Sequence, residues 1–422
     1  MIDKNIQQIP SDWKIATLGE VLGKKGYIRG PFGSSLKRNE LRSEGIPVYE
    51  QQNAIYDHRD FRFFIDGEKH KELSRFTVKE NDLIVSCSGT LGKVSLIKNT
   101  DLIGIISQAL LILRSDIAKI LPKYLYYFLI SPEGYNSLLS RSTGSVQVNL
   151  ANRNIIESIE LDLPSLPEQR AIASVLSAFD DKIELLREQN KTLEAIAQTL
   201  FNRWFVEFNF PDENGQSYLD SGGKMIDSEL GEIPEGWRFG KLGDELEVVM
   251  GQSPKGETYN TENDGMEFYQ GRADFGERFP TIRLFTTDPM KVAEPMDVLL
   301  SVRAPVGEIN QTLRKCCIGR GLAAIRSNYK SYTFYRLFNE QEKIKLYEDS
   351  GTVFGSITKS AIENIEYVVP SQDTVRQFEE KVHILDQKIF NNHFQIQALS
   401  QLRDTLLPKL MRGEMRVKGF SD

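Results

Sequence analysis

The 422-residue chain predicts an α+β fold built twice: two similar globular domains joined by two long, antiparallel, coiled-coil-like helices, as a pseudo-twofold internal repeat. Three observations carry that reading. First, the run Ile159-Glu-Leu-Asp-Leu-Pro164-Ser, followed by Arg170, Asp180, Lys182-Ile183, Leu193 and Leu200, returns 206 residues later as Ile365-Glu-Tyr-Val-Val-Pro370-Ser, Arg376, Asp386, Lys388-Ile389, Leu399 and Leu406. Second, the opening Ile9-Pro10-Ser-Asp-Trp13 with Leu18-Gly19 is answered by Ile233-Pro234-Glu-Gly-Trp237 with Leu242-Gly243. Third, each copy ends in a heptad-patterned run. Periods of about 20 to 50 residues mark solenoids, so a period near 200 means duplicated whole domains.

The first domain spans 1–163. Within it Asn81-Asp-Leu-Ile-Val-Ser86, Gly89-Thr-Leu-Gly92 and the residues that follow read as strand, polar turn and strand. Met296-Asp-Val-Leu-Leu-Ser301 with Ala304-Pro-Val-Gly307 repeats the pattern. Segments 124–139 and 331–347, rich in Tyr, Phe and Leu, have helical spacing. Thr143-Gly144-Ser145 and Ser350-Gly351-Thr352 follow them.

The first long helix occupies 164–206. Ile172, Leu176, Phe179, Ile183, Leu186, Asn190, Leu193, Ala197, Leu200 and Trp204 alternate steps of four and three, a coiled-coil seam that Val175, Ile196 and Leu402 widen. Residues 207–232 form an acidic, exposed linker. The second domain spans 233–369, and the second helix, 370–415, repeats the seam from Phe378, Val382, Leu385 and Ile389 through Asn392 to Leu410. Pro and acidic residues suit both helix starts, and each helix is about 50 Å long at about 1.5 Å per residue. The asparagines give orientation. In a parallel pair in repeat register, Asn190 and Asn392 would each face an aliphatic residue and lose about 1–3 kcal/mol apiece. In an antiparallel pair centred on residues 188 and 394 they face one another, and the second helix returns toward the first domain, bringing the termini together.

Composition narrows the function. Forty per cent apolar content suits ordinary globular cores. No apolar run is long enough for a membrane span and no leader opens the chain, so the expectation is cytoplasmic. Three cysteines and four scattered histidines offer neither a disulfide framework nor a four-ligand metal site, so no metal or cofactor is expected. Nucleotide-binding and hydrolase motifs are absent. Cys87, in Ser86-Cys87-Ser88-Gly89, has only Val302 as its repeat mate, which argues against a nucleophile. The net charge of −7 arises mostly between Phe205 and Glu232, where seven acidic residues meet one lysine. The first domain is nearly neutral and the second slightly acidic, so neither alone supplies the phosphate-neutralising charge of a tight DNA binder.

Leu163-Pro-Ser-Leu-Pro-Glu-Gln-Arg170-Ala-Ile-Ala173, Phe179-Asp-Asp-Lys-Ile183-Glu, Gln198-Thr-Leu-Phe201-Asn-Arg-Trp-Phe205 and the tail Leu406-Leu-Pro-Lys-Leu-Met-Arg-Gly413 together resemble the specificity subunit of Type I restriction-modification systems over essentially the whole chain. The resemblance implies two target-recognition domains, each reading half of a split, asymmetric sequence in double-stranded DNA. It implies a non-catalytic subunit whose helices set the spacer and bind two methyltransferase subunits; a nuclease and translocase subunit can join. Half-sites about one DNA turn apart, roughly 34 Å, are then expected. Thr192-Leu-Glu-Ala195 resembles a single copy of the short block that the family repeats to lengthen the spacer.

Arg suits guanine and Gln or Asn suits adenine in the major groove, and Ser, Thr and Gly turns suit phosphates. In the first domain the candidates for DNA contact are Arg29, Ser34, Ser35, Lys37, Arg38, Gln51, Gln52, Asn53, Ser88, Thr90, Arg141, Thr143 and Gln147. In the second they are Gln252, Lys255, Gln270, Arg272, Arg303 and Arg320. Glu168, Gln169, Arg170, Trp204 and Phe205, at the helix ends, are the expected partner-binding residues, since Trp and Arg are favoured interface anchors. The competing reading is a two-headed coiled-coil adapter without DNA specificity.

Overall fold

The computed structural model describes residues 10–32, 36–140, 150, 152–348 and 355–417. The chain divides into two compact units, Met1–Leu185 with Gln395–Asp422, and Leu186–Phe394. The boundary falls inside both long helices, Leu166–Phe205 and Gln372–Met411. Each helix thus gives one half to each unit instead of forming a separate body.

Unit 1 is built on an antiparallel sheet in the order Leu22–Arg29, Leu110–Ser115, Leu83–Ser86, Val94–Leu96. A smaller sheet joins Phe64–Ile65, Ile46–Tyr49 and Ile105–Ile106, the last pair parallel. Unit 2 has the same order in Glu247–Met250, Leu322–Arg326, Val298–Ser301, Ile309–Gln311. Its second sheet likewise contains Leu284–Thr286, Met266–Tyr269 and Cys316–Ile318 with a parallel last pair.

The repeat extends to single hydrogen bonds. Leu18 N donates to Ile159 O (2.7 Å) and Leu242 N to Ile365 O (3.0 Å). A Cβ on Gly19 would lie 3.0 Å from Glu157 Cβ, and one on Gly243 would lie 2.9 Å from Glu363 Cβ, so both close approaches favour glycine. Asn81 and Met296 both take positive φ, 69° and 65°. The aspartate after each accepts a backbone N–H and pairs with an arginine, Asp82 with Arg114 and Asp297 with Arg326, both at 2.7 Å.

Ile172, Leu176, Leu407 and Leu410 bury into the core of unit 1, and Ala197, Phe201, Trp204, Phe378 and Val382 into that of unit 2. Within unit 2 the helices run antiparallel: Asn392 Nδ2 donates to Asn190 Oδ1 at 2.9 Å, while Phe201 meets Phe378 at 5.7 Å. The first and last described segments meet within unit 1, where Arg416 pairs with Asp12 at 2.7 Å. No described helix is long and apolar enough to cross a membrane.

Three expectations need correction, and a fourth lies outside the described residues. Ile196 and Leu402 are 50% and 53% exposed, so they do not widen the seam. The acidic stretch is anchored: Phe210 stacks on Tyr218 (4.6 Å) and Trp237 (4.9 Å), and Met225–Ser228 pairs with Gly231–Pro234. Segment 124–139 is two helices, Pro122–Ile130 and Pro132–Leu139. Pro132 has no N–H to continue the first, and Ser131 caps the second by accepting from Gly134 N at 3.2 Å. Thr143-Gly144-Ser145 and Ser350-Gly351-Thr352 lie outside the described residues.

Candidate nucleic-acid interface

In unit 1 three predicted segments converge on the loop Ser107-Gln108-Ala109. Gly30 N donates to Leu110 O (3.0 Å), Cys87 N to Ala109 O (2.8 Å), and Ser107 N to Tyr49 O (2.8 Å). A Cβ on Gly30 would lie 2.0 Å from Ser107 O, so only glycine lets these strand ends meet. Around this junction a concavity of about 500 Å³ is lined by Arg38, Gln51, Gln52, Arg62 and Gln108, among others. Gln51 Nε2 ties it to the next loop by donating to the carbonyls of Ser88 and Thr90.

Unit 2 repeats the junction. Gly251 N donates to Leu322 O (2.9 Å), Val302 N to Gly321 O (3.0 Å), and Gly319 N to Tyr269 O (2.8 Å). A Cβ on Gly251 would lie 2.2 Å from Gly319 O. Gln252 N donates to Ile318 O at 2.9 Å and Arg320 N to Ser253 Oγ at 3.2 Å. All four predicted loops of this unit therefore share one hydrogen-bonded cluster at the strand ends. Gln252, Lys255, Gln270, Arg272, Arg303 and Arg320 are exposed there. No acidic partner for the side chains of Lys255, Arg272, Arg303, Arg320 or Arg38 is found among the described residues, whereas Lys37 sits beside Glu40, whose carboxylate accepts from Lys37 N at 2.6 Å. Arg62, by contrast, is forked onto Glu50.

Some assignments change. Asn53 is fully buried: its Oδ1 accepts from Glu50 N, and its Nδ2 donates to His58 O and Asp60 O, leaving no amide for a base. Arg29 is half-buried and lies over Phe32 at 5.8 Å. Ser34, Ser35, Arg141, Thr143 and Gln147 lie outside the described residues. Burial pushes the Cys87 thiol up to about 12, so the thiolate needed for nucleophilic chemistry does not form near neutral pH.

At the helix ends, Gln169 is buried, accepting from Leu121 N (2.9 Å) and donating to Lys119 O and Pro164 O. It holds the start of the Pro122–Ile130 helix and is not a surface anchor. Glu168 is engaged by Trp13 Nε1 (3.0 Å) and Arg416 (2.7 Å). Trp204 and Phe205 are each 3% exposed, ringed by Phe201, Phe378, Trp237 and Tyr332. They are core residues of unit 2. Arg170 alone of the five is exposed, beside a concavity of about 320 Å³ that includes Lys123 and Ser177.

The loop Ser107-Gln108-Ala109 was missed, although its repeat mate around Arg320 was identified. The signal lay in Ile106-Ser-Gln-Ala-Leu110 with Arg114-Ser115, answered at a different offset by Ile318-Gly-Arg-Gly-Leu322 with Arg326-Ser327.

Residues 10–195 match the model of the Type I restriction modification DNA specificity domain. Two Methanocaldococcus jannaschii chains, named as specificity subunits of type I restriction enzymes MjaX and MjaIX, are each 30% identical; the matches cover 98% and 99% of this chain and 96% of each relative. A crystal structure of the S subunit of a Type I restriction-modification system from M. genitalium shares the fold, with a TM-score of 0.59, 19% identity and coverage of 97% of this chain and 98% of that one. With twin strand-end clusters whose arginines have no acidic partner among the described residues, and likeness along nearly its full length, this chain belongs to the family of specificity subunits of Type I restriction-modification systems.

Proposed function

We propose that each unit reads one half of a split, asymmetric DNA target, as an internal repeat with pseudo-twofold character. On this reading residues 1–163 and 233–369 are the recognition domains. The helices 164–206 and 370–415 set the spacer and dock two methyltransferase subunits, and the anchored stretch 207–232 joins the halves. A nuclease subunit can join the assembly. Catalysis belongs to those partners, which is consistent with the buried, protonated Cys87, and the protein works in the cytoplasm.

The observation that carries the reading is the repeated strand-end junction. In each unit a glycine closes against a short polar loop, and arginines without acidic partners among the described residues surround it. Exposed arginines without acid partners are poised for guanine edges or phosphates. An adapter without DNA specificity gives no reason for the same junction to carry such side chains in both copies.

The test is to express the chain with its methyltransferase subunits and map the methylated adenines by modification-sensitive sequencing. The expected motif is bipartite. Arg303→Ala should relax only one half and Arg38→Ala only the other, each by about 1–3 kcal/mol per lost base contact. A motif unchanged by both substitutions would overturn the assignment of these clusters to DNA.

A further inference from the structure

We propose that Arg278 is a positioning residue that ties the reading loop of unit 2 to the long helices, so that selectivity at one half of the target depends on the helix pair and selectivity at the other does not. The proposal rests on the DNA-reading function above.

The loop in question runs from Gln270 to Arg283 and carries Gln270 and Arg272 at its exposed end. Asp274, 2% exposed, closes that end by accepting from Gln270 N (2.7 Å), Gly271 N (3.3 Å) and Arg283 Nε (2.6 Å). The middle of the loop is held against strand Ile309–Gln311, through Asn310 Nδ2 to Gly276 O and Gln311 N to Arg278 O. Arg278 then leaves the recognition domain. Its guanidinium lies over the Phe334 ring at 3.4 Å and donates to Asp386 Oδ1 (3.0 Å), Glu194 Oε1 (3.3 Å) and Gln311 Oε1 (3.1 Å). Asp386 lies on one long helix and Glu194 on the other. With Arg278 5% and Asp386 2% exposed, this fork is shielded from water and fixed in direction.

The corresponding loop of unit 1 has an arginine at the corresponding place, and it turns inward. Arg59 pairs with Asp101 at 2.8 Å and donates to Ser95 Oγ and Leu96 O, both at 3.1 Å. Ser95 and Leu96 belong to the strand that corresponds to Ile309–Gln311. Arg59 therefore keeps its loop within the recognition domain, whereas Arg278 reaches the helices. A displacement of the unit 2 helix halves moves Asp386 and Glu194, and with them the backbone that presents Gln270 and Arg272.

The experiment uses the complex of the full chain with its methyltransferase subunits and DNA duplexes of the mapped motif, each altered at one base pair in one half or the other. A mismatched base pair ordinarily weakens binding about 5- to 150-fold. Arg278→Lys keeps the charge but loses the fork. It should reduce mismatch discrimination about tenfold or more at the half read by unit 2, leaving the other half within about twofold. Arg403→Lys, a comparable loss of fork at a helix arginine that touches no reading loop, should change neither half. Arg278→Met combined with Asp386→Asn and Glu194→Gln removes the charge imbalance, and should show the same one-sided loss if the fold of the single variant is compromised. Discrimination unchanged at both halves, or reduced equally at both, would overturn the proposal. Failure of the unsubstituted complex to discriminate either half would instead overturn the DNA-reading function on which it rests.

Discussion

Asp180 and Asp386 occupy the same position in the repeat, and each accepts a hydrogen bond from a tyrosine of its own unit, Tyr127 at 2.6 Å and Tyr335 at 2.9 Å. They part company over the cation. Asp180 takes Arg403 from the opposite long helix at 2.7 Å, with the two side chains 30% and 26% exposed. Asp386 takes Arg278 from the loop between Gln270 and Arg283, with both side chains almost wholly buried. Arg403 has Ala197 as its repeat mate, so the sequence supplies only one helix arginine for two equivalent carboxylates. The difference teaches what duplication preserves. The carboxylate–tyrosine pair is set by backbone positions common to both copies, whereas the cation can come from any neighbour that reaches the site, and its origin decides what the carboxylate is coupled to.

The same comparison separates the energetics. Asp386→Ala leaves the buried Arg278 with Glu194 as its one carboxylate partner among the described residues, and removal of one member of a buried pair costs about 3–5 kcal/mol. Asp180→Ala leaves a partly exposed Arg403 that also pairs with Asp404, but it unpairs the buried Tyr127 hydroxyl, and about 1–3 kcal/mol should be lost. Denaturant titration of the full chain in its complex should resolve the gap. Equal losses would mean that burial does not distinguish the two sites.

A second contrast tests the reassignment of the helix ends. Trp204 and its repeat mate Leu410 are 3% and 2% exposed, the first among aromatic rings and the second in the core of unit 1 that also holds Leu407 and Met411. Trp204→Ala should cost about 3 kcal/mol or more and Leu410→Ala about 2–5 kcal/mol, through lost burial and the cavities left behind. Arg170→Glu, at an exposed position, should leave stability unchanged and alter only assembly with the methyltransferase. A Trp204→Ala chain of normal stability that fails to assemble would restore Trp204 as a docking residue.

Much of this architecture was legible because it rests on periodicity. The long helices begin and end within four residues of the expected limits, and the four candidate segments of unit 2 meet at the strand ends. The misreadings share a physical cause: residue type does not state the environment. Gln169 and Asn53 look like exposed amides but spend their hydrogen bonds on buried backbone groups. Phe210 looks like part of an acidic linker but is held by Trp237, which follows it by 27 residues. Arg59 and Arg278 each share a loop with other arginines, and no local pattern says that one turns inward and the other reaches a helix. The Ser107–Ala109 loop was hidden because it is only three residues long between two apolar strands, and the repeat offset there is not 206.

The smallest effect, and the sharpest test of the helix orientation, is at the asparagine layer of unit 2. The repeat mates of Asn190 and Asn392 are Ile396 and Leu186, so an all-aliphatic seam is chemically available at these positions. Asn392 is fully buried, and its Nδ2 has Asn190 Oδ1 as its acceptor at 2.9 Å, while its own Oδ1 accepts nothing among the described residues. Asn190→Leu removes that acceptor and leaves a whole buried amide without a partner, a loss of about 1–3 kcal/mol. Asn190→Leu with Asn392→Leu removes both polar groups and fills the layer with apolar side chains, so the double variant should recover to about the stability of the parent or exceed it. The coupling between the two sites, read from a double-mutant cycle by denaturant titration, should therefore be large relative to the net effect. What the double variant gives up is register, because one polar layer in an apolar seam penalises every alignment that separates the two amides. Stability changes that simply add would show that the two asparagines do not share a layer, and the antiparallel pairing centred on residues 188 and 394 would fall with them.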